Sequence, residues 1–379
     1  MNKRYNQHNH FYTYSKFLDK TNAQILTQLA KHGPRNISTI AKTTNLPVTT
    51  VNFRLKKLIQ KGLLKITANP NLPRLGLAKA FLVVHAPLGQ HKNLLRIIKS
   101  IDYWTYIIRC YGKADGYCAY LAFPAMHKKE LDIYLQTAAE QTIIPKYTLL
   151  WTTNSHYATP NFQWYNFKEK RWKIQWQQWV SGIQTASGRL PKSLKDTQDN
   201  QIMADKADLL IIKELEKDAT TDLNELAKLL KITPQAIGNR YKTHIIQRNL
   251  ISNYNVDIYP FPLEISELYN FTIDFENQKN LAKFVNASNE KPFIVSYTKT
   301  AGKNTLIINI YIERKEFPNL IDALNQLHAD QIIKDFTYIT LEPTEYHRQT
   351  ISYEYFEKGQ WAFNTKEKIR KLQEVLKTT

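Results

Sequence analysis

The chain has 379 residues, 43% of them hydrophobic and 22% charged, with a mean hydropathy of −0.46. That length leaves room for two to four domains with a sizeable core, and no run approaches the ~18–20 apolar residues of a membrane span. The basic N-terminus has no apolar stretch behind it and so does not read as a secretory leader. Cys110 and Cys118 are the only two cysteines, too few for a disulfide framework, which points to a reducing cytoplasm.

The charge is unevenly divided. Residues 1–190 hold 27 Lys+Arg and 7 Asp+Glu, a balance of +20; residues 191–379 hold 25 and 26, a balance of −1, which together give the total of +19. The first half therefore calls for a polyanionic partner, and nucleic acid fits best. An anionic membrane surface fits poorly, because no basic helix carries a bulky apolar face.

In chain order, residues 1–17 form a polar arm. His8 and His10 there have no cysteine or carboxylate cluster with which to hold a metal, and no metal is expected. Residues 18–77 read as a winged helix-turn-helix. Ile25, Leu26 and Leu29 mark a first helix, and Ile37, Ile40 and Ala41 a second, broken at Asn45-Leu46-Pro47. Val51, Leu55 and Leu58 mark a third, closed by Gly62 where a left-handed cap is expected, and a strand starts at Leu63. The third helix suits a major groove: Thr49, Thr50 and Asn52 for base edges, Arg54, Lys56 and Lys57 for phosphates, with Lys65 on the wing. The bland alternative is a helical subdomain with a solvated basic face.

Residues 78–160 read as strand, helix, strand, strand, helix, strand. The strands span 80–86, 104–110, 117–123 and 144–151, and the helices 91–101, with Leu94, Leu95 and Ile98 inward, and 126–141, carrying Leu131, Ile133 and Leu135. This order predicts a ferredoxin-like sandwich, with two helices on one face of a four-stranded antiparallel sheet. Cys110 and Cys118 fall on neighbouring strands and read as packing residues. Residues 161–180 form an aromatic β-hairpin expected to cover a sheet edge; Trp164, Trp172, Trp176 and Trp179 crowd there and read as packing groups rather than base-stacking ones. Residues 181–203 have a linker composition.

The chain then repeats itself. Ile212, Leu215, Ala227, Ile237 and Arg240 each lie 186 residues beyond Leu26, Leu29, Ala41, Val51 and Arg54, and 247–251 match 60–64 after one inserted residue, with Asn249 in place of Gly62. Residues 204–262 thus form a second winged helix-turn-helix, offering Gln235, Asn239, Arg240 and Lys242 to DNA from an acidic neighbourhood. Residues 263–345 form a second βαββαβ domain, and 346–379 a second hairpin and a basic tail helix. The predicted fold is α+β, one two-domain module written twice.

With Leu18-Asp19, Ile40-Ala41, Val51, Arg54-Leu55, Leu58 and Gly62-Leu63-Leu64 in the first copy, and Asp205, Leu226-Ala227, Ile237, Arg240-Tyr241 and Asn249-Leu250-Ile251 in the second, the chain resembles the Lrp/AsnC (feast/famine) transcription regulators. Gly112 and Asp115 stand where that family often has a Gly-x-x-Asp turn. The pattern departs at Pro47, where an N-cap is usual, at Gly302-Lys303-Asn304, which lacks the aspartate, and in its tandem layout. The resemblance implies a transcription regulator whose sandwiches pair, here within one chain as a pseudo-dimer. Neither copy shows an amino-acid-binding signature, so a small-molecule effector at the βαββαβ domains stays open, as does further homo-oligomerisation.

The expected function is a sequence-specific double-stranded-DNA-binding regulator, cytoplasmic and nucleoid-associated, without cofactor or enzymatic activity, with the first helix-turn-helix dominant. Two alternatives stand beside it. One is an architectural protein that binds DNA without sequence preference. The other is a relative of the siroheme decarboxylases, which resemble Lrp/AsnC proteins but whose His-Asn-Tyr-type run is not found here.

Overall fold

The computed structural model describes residues 16–377, apart from residues 88, 142–143, 145, 159–160, 197–199 and 259. His8, His10 and the rest of the arm before residue 16 lie outside the described residues. Among those described, no helix is long and apolar enough to cross a membrane.

The first unit has helices α1 (Lys20–His32), α2 (Ile37–Thr44) and α3 (Val48–Gln60), followed by wing strand β1 (Lys65–Pro70). Ile25, Leu26, Leu29, Ile40, Val51 and Leu58 form its buried centre. Asn45 closes α2 in the left-handed conformation (φ 54°), and Gly62 follows α3 with φ 65°. Pro47 precedes α3 without a side-chain cap.

The second unit repeats this with α7 (Lys206–Lys217), α8 (Leu223–Leu230), α9 (Pro234–Arg240) and wing β9 (Ile251–Asp257). Here Thr233 does cap, accepting from the Ala236 amide at 3.2 Å, and Asn249 takes the left-handed position (φ 52°). The residue inserted in this copy is absorbed as a π-helical turn over Tyr241–Ile246, the usual way a helix takes up one extra residue.

The wings do not fold back on their own units. β1 and β9 pair with each other, Lys65 opposite Asp257 and Asn69 opposite Asn253, while α1 lies against β9 and α7 against β1. Thr67 faces Asn255 and Ala68 faces Tyr254, and an offset of 187 makes Tyr254 and Asn255 the counterparts of Thr67 and Ala68. A pseudo-two-fold axis therefore passes through the ribbon. Arg35, which donates to the carbonyl of its own counterpart Thr221 and sits 5.1 Å over the Tyr241 ring, lies near the same axis. Gly33 (φ 76°) is fixed there twice over, since an added Cβ would lie 2.4 Å from the Tyr254 ring.

The sandwiches follow the predicted order. The first comprises β2 (Leu77–His85), α4 (His91–Lys99), β3 (Trp104–Gly112), β4 (Gly116–Pro124), α5 (Lys128–Glu140) and β5 (Tyr147–Thr152), with β6 (His156–Tyr157) beyond it. The second comprises β10 (Ser266–Phe275), α10 (Gln278–Ser288), β11 (Ile294–Lys299), β12 (Thr305–Glu313), α11 (Phe317–Ala329) and β13 (Ile333–Arg348).

Together they make one antiparallel nine-stranded sheet, ordered β5-β2-β4-β3-β13-β10-β12-β11-β6. Thr152 also bridges Thr300, so the outer edges of the two sandwiches meet, which protects strands that would otherwise be open to pairing with another chain. Inside, Phe81, Ile108, Cys110, Cys118, Ile307, Ile339 and Leu341 of the two halves share one apolar cluster. Both cysteines are buried free thiols on adjacent strands, in keeping with their reading as packing groups.

The aromatic segments correct two expectations. The hairpin strands are short (β7, Tyr165–Asn166; β8, Arg171–Trp172), and the segment continues into α6 (Trp176–Thr185), which lies on α10 and α11 of the second sandwich. The counterpart after β14 (Phe356–Glu357) and β15 (Gln360–Trp361) is α12 (Thr365–Lys377), which lies on α4 and α5 of the first. Each copy thus covers the helical face of the other rather than a sheet edge. The stretch read as a linker is partly built in as well: Ile183, Leu190 and Leu194 join the second core, and Asp196 pairs with buried Lys299 at 2.8 Å. Ile133 is exposed.

A further cation, Lys79 on β2, is largely withdrawn from water. Lys79 Nζ donates to Ser155 Oγ and lies 4.9 Å over the Tyr120 ring, and burial pulls its pKa down to about 7. A group whose folded pKa is depressed in this way penalises folding fully below pH 7, and the penalty fades as pH rises toward the unfolded value near 10.5. Each pKa unit is worth about 1.4 kcal/mol, and part of the gain from removing the charge is offset because the Ser155 hydroxyl is left without its donor. Lys79→Met is therefore expected to stabilise the chain by about 1–3 kcal/mol at pH 6. The gain should vanish by pH 10.5, as denaturant titrations at both pH values would show.

Candidate nucleic-acid interface

On α3 the buried stripe of Val51, Leu55 and Leu58 fixes what faces outward. At 100° per residue, the opposite side is centred on Phe53, Gln60 and Thr49, flanked by Lys56 and Lys57, and all five are exposed. Thr50 and Asn52 are half-buried at the margins. Lys57 Nζ lies 5.5 Å from the Phe17 ring and 5.9 Å from that of Phe53. Lys65 is exposed on the wing ribbon opposite Asp257, away from the helix that carries the other candidates.

Arg54 is turned inward. Its Nη1 donates to the Asp19 carboxylate at 2.7 Å and to Asn22 Oδ1 at 3.1 Å, tying α3 to the start of α1. Desolvation opposes ionisation of Asp19, but Arg54 and the Asn22 amide outweigh it and hold the carboxyl below its ordinary range. Arg54 thus has hydrogen-bond partners within its own unit, and these serve that unit's fold.

Arg240 repeats this more strongly. It is bidentate on Asp205 (2.7–2.9 Å) and donates to Asp208 at 2.5 Å. Asp208 is fully buried, closes a capping box with Asp205, and meets His244 Nδ1 at 3.1 Å. Arg240, like Arg54, is thus engaged within its own unit. Asp205, Asp208 and His244 come close enough to resemble a metal-ligand set, but the guanidinium already occupies both carboxylates. Asp208 is buried, and Asp205, although exposed, is paired with Arg240. Asp222 is likewise used in capping, accepting from the Asn224 amide at 2.7 Å.

Gln235, Asn239 and Lys242 remain exposed. Gln235 and Asn239 lie on α9, whereas Lys242 lies in the π turn beyond it, so its bearing relative to α9 differs from that of Lys56 on α3. Residues 18–77 carry ten Lys+Arg against Asp19 as the single acid, whereas 204–262 carry eight of each sign. The two units therefore share a framework and differ in field.

Sequence reasoning did not single out Phe53, which is exposed on this face. The signal was available: it is an aromatic residue off the Val51–Leu55–Leu58 stripe.

A family model described as winged helix-turn-helix DNA-binding matches residues 18–65. Those residues fold as a winged helix-turn-helix. Over 71 residues the chain is 35% identical to an uncharacterized HTH-type transcriptional regulator of Pyrococcus horikoshii, a match that covers 18% of this chain and 47% of the relative. It thus spans about half the length of the curated relatives it matches. Among solved structures, the siroheme decarboxylase NirDL superposes with a TM-score of 0.51 at 11% identity, covering 95% of this chain and 99% of its own. That likeness is one of fold. An AsnC family transcriptional regulator from Agrobacterium tumefaciens aligns with 35% of this chain and 89% of its own, at 15% identity and a TM-score of 0.29. The chain carries a winged helix-turn-helix followed by a βαββαβ sandwich twice, as its sequence led us to expect.

Proposed function

We propose that the chain is a sequence-specific double-stranded-DNA-binding transcriptional regulator without catalytic activity, in which one polypeptide supplies both halves of a pseudo-dimer. The observation that carries this reading is the β1–β9 ribbon, which relates the two helix-turn-helix units by a pseudo-two-fold axis within the chain. Symmetric pairs of such units bind half-sites ~34–36 Å apart. The first unit, with its exposed Lys56 and Lys57 and almost no acid, supplies most of the affinity, and the second contributes less. The reading implies a cytoplasmic, nucleoid-associated protein.

Its test is the salt dependence of DNA binding. Replacing Lys56 and Lys57 by alanine removes two phosphate contacts, so the slope of log K against log salt is expected to fall by about 1.8. Lys242→Ala should change it by less than one such contact. An unchanged slope in the double variant would remove the first unit from the interface.

A second reading rests on the full-length likeness to NirDL. It takes the doubled fold as a tetrapyrrole enzyme and is tested by adding an iron-uroporphyrin to the protein. A shift in its visible absorbance would favour that reading, and an unchanged spectrum would count against it.

A further inference from the structure

Phe53 is 65% exposed on the helix proposed to enter the major groove. Thr49, Phe53 and Lys57 succeed one another at four-residue spacing and form one outward ridge on α3. A large ring in water at the centre of a polar, basic face is poorly placed for solubility, and its exposure sets it apart from the buried stripe of its own helix. The repeat shows what stands there in the other copy. The offset of 186 takes Thr49 to Gln235 and Phe53 to Asn239, and both counterparts are exposed on α9. The same ridge is therefore methyl and aromatic in one unit and carboxamide in the other.

These chemistries recognise different features of an A·T pair. In the major groove thymine presents its C5-methyl to apolar side chains, whereas adenine presents N7 and N6-H to the paired donor and acceptor of Asn or Gln. We propose that the first unit reads thymine through its C5-methyl, with Phe53 and the Thr49 methyl as the contacting groups, while the second reads adenine through Gln235 and Asn239. The operator is then chemically asymmetric although the two units are related by a pseudo-two-fold. This inference rests on the DNA-reading function proposed above. It adds which atom of the base each unit uses.

The experiment starts from the fragment most enriched when the full-length protein selects from random duplex DNA. Deoxyuridine is substituted for thymidine, and 7-deazaadenine for adenine, one half-site at a time. Uracil lacks only the methyl, so its use in the half-site of the first unit should weaken binding about three- to five-fold per contacted thymine, with little effect in the other half-site. 7-Deazaadenine should weaken binding only in the second. Phe53→Ala combined with Thr49→Ser should lose the thymine-over-uracil preference while keeping the salt slope. Phe53→Asn should trade it for sensitivity to 7-deazaadenine.

Equal binding of thymine and uracil duplexes by the parent chain would overturn the inference and leave DNA recognition intact. So would a methyl preference that survives when Phe53→Ala is combined with Thr49→Ser. Failure to enrich any sequence would overturn both this inference and the regulator reading.

Discussion

Arg240→Ala is expected to cost the second helix-turn-helix about 3–5 kcal/mol, the range for removing one partner of a buried charge pair, whereas the equivalent Arg54→Ala should cost about 1 kcal/mol or less. The two arginines occupy the same position in the repeat and hold the same N-cap aspartate, Asp205 or Asp19. They differ in the second partner. Arg240 also neutralises Asp208, a carboxylate with 0% of its side chain exposed, while Arg54 meets the neutral amide of Asn22.

Without Arg240, Asp208 keeps only His244 and the Asp205 amide. Removing Arg54 exposes Asp19, already 54% accessible, to more water. Urea titrations of the two full-length variants compare these losses directly, and equal losses would contradict the account. Asp208→Asn in the Arg240→Ala background should recover much of the deficit, because a neutral amide no longer needs a cation.

Trp179→Ala is the second large effect, expected to cost about 3–5 kcal/mol as for other buried tryptophans cut to alanine. Trp179 belongs to the first copy but is fully buried against Phe284 and Phe293 of the second, with Trp176 edge-on and its Nε1 3.0 Å from Ser288 Oγ. The loss should therefore fall on the second sandwich. In hydrogen exchange, protection should drop in α10 and the strands beneath it and persist in the first sandwich. A drop confined to 161–185 would mean that α6 is an appendage and not part of the second core.

Much of this architecture was legible in the residues. The apolar spacing of each helix, Gly62 and Asn249 as left-handed closures, and the constant offset of 186 pointed to both helix-turn-helix units, and the order of apolar runs to both sandwiches. Periodicity reports that a residue is buried and says nothing of which copy buries it. For that reason Trp179 reads as a packing group, while the exchange of α6 and α12 between sandwiches does not emerge from the pattern.

The same limit applies to the wings. Leu63–Ile66 reads as a strand, but Ile66 pairs with Val256 in the other copy, across nearly half the chain. No local pattern selects such a partner. At the recognition helices, residue type indicated a basic face but not which charges on it are already paired. An arginine there looks alike whether it meets a phosphate or an aspartate 35 positions upstream, although the recurrence of that 35-residue Asp–Arg interval in both copies was a usable signal.

The most direct measurement of the central claim, that one chain reads DNA through two unequal units, is selection of bound fragments from genomic DNA by the full-length protein at two salt concentrations. The account predicts one enriched motif that survives the higher salt, with a strong half-site and a weaker one about one helical turn apart. Replacing Gln235 and Asn239 by alanine should erase only the weaker half. Uniform recovery of fragments that collapses at the higher salt would contradict it, leaving the +20 half of the chain as an electrostatic clamp without sequence preference.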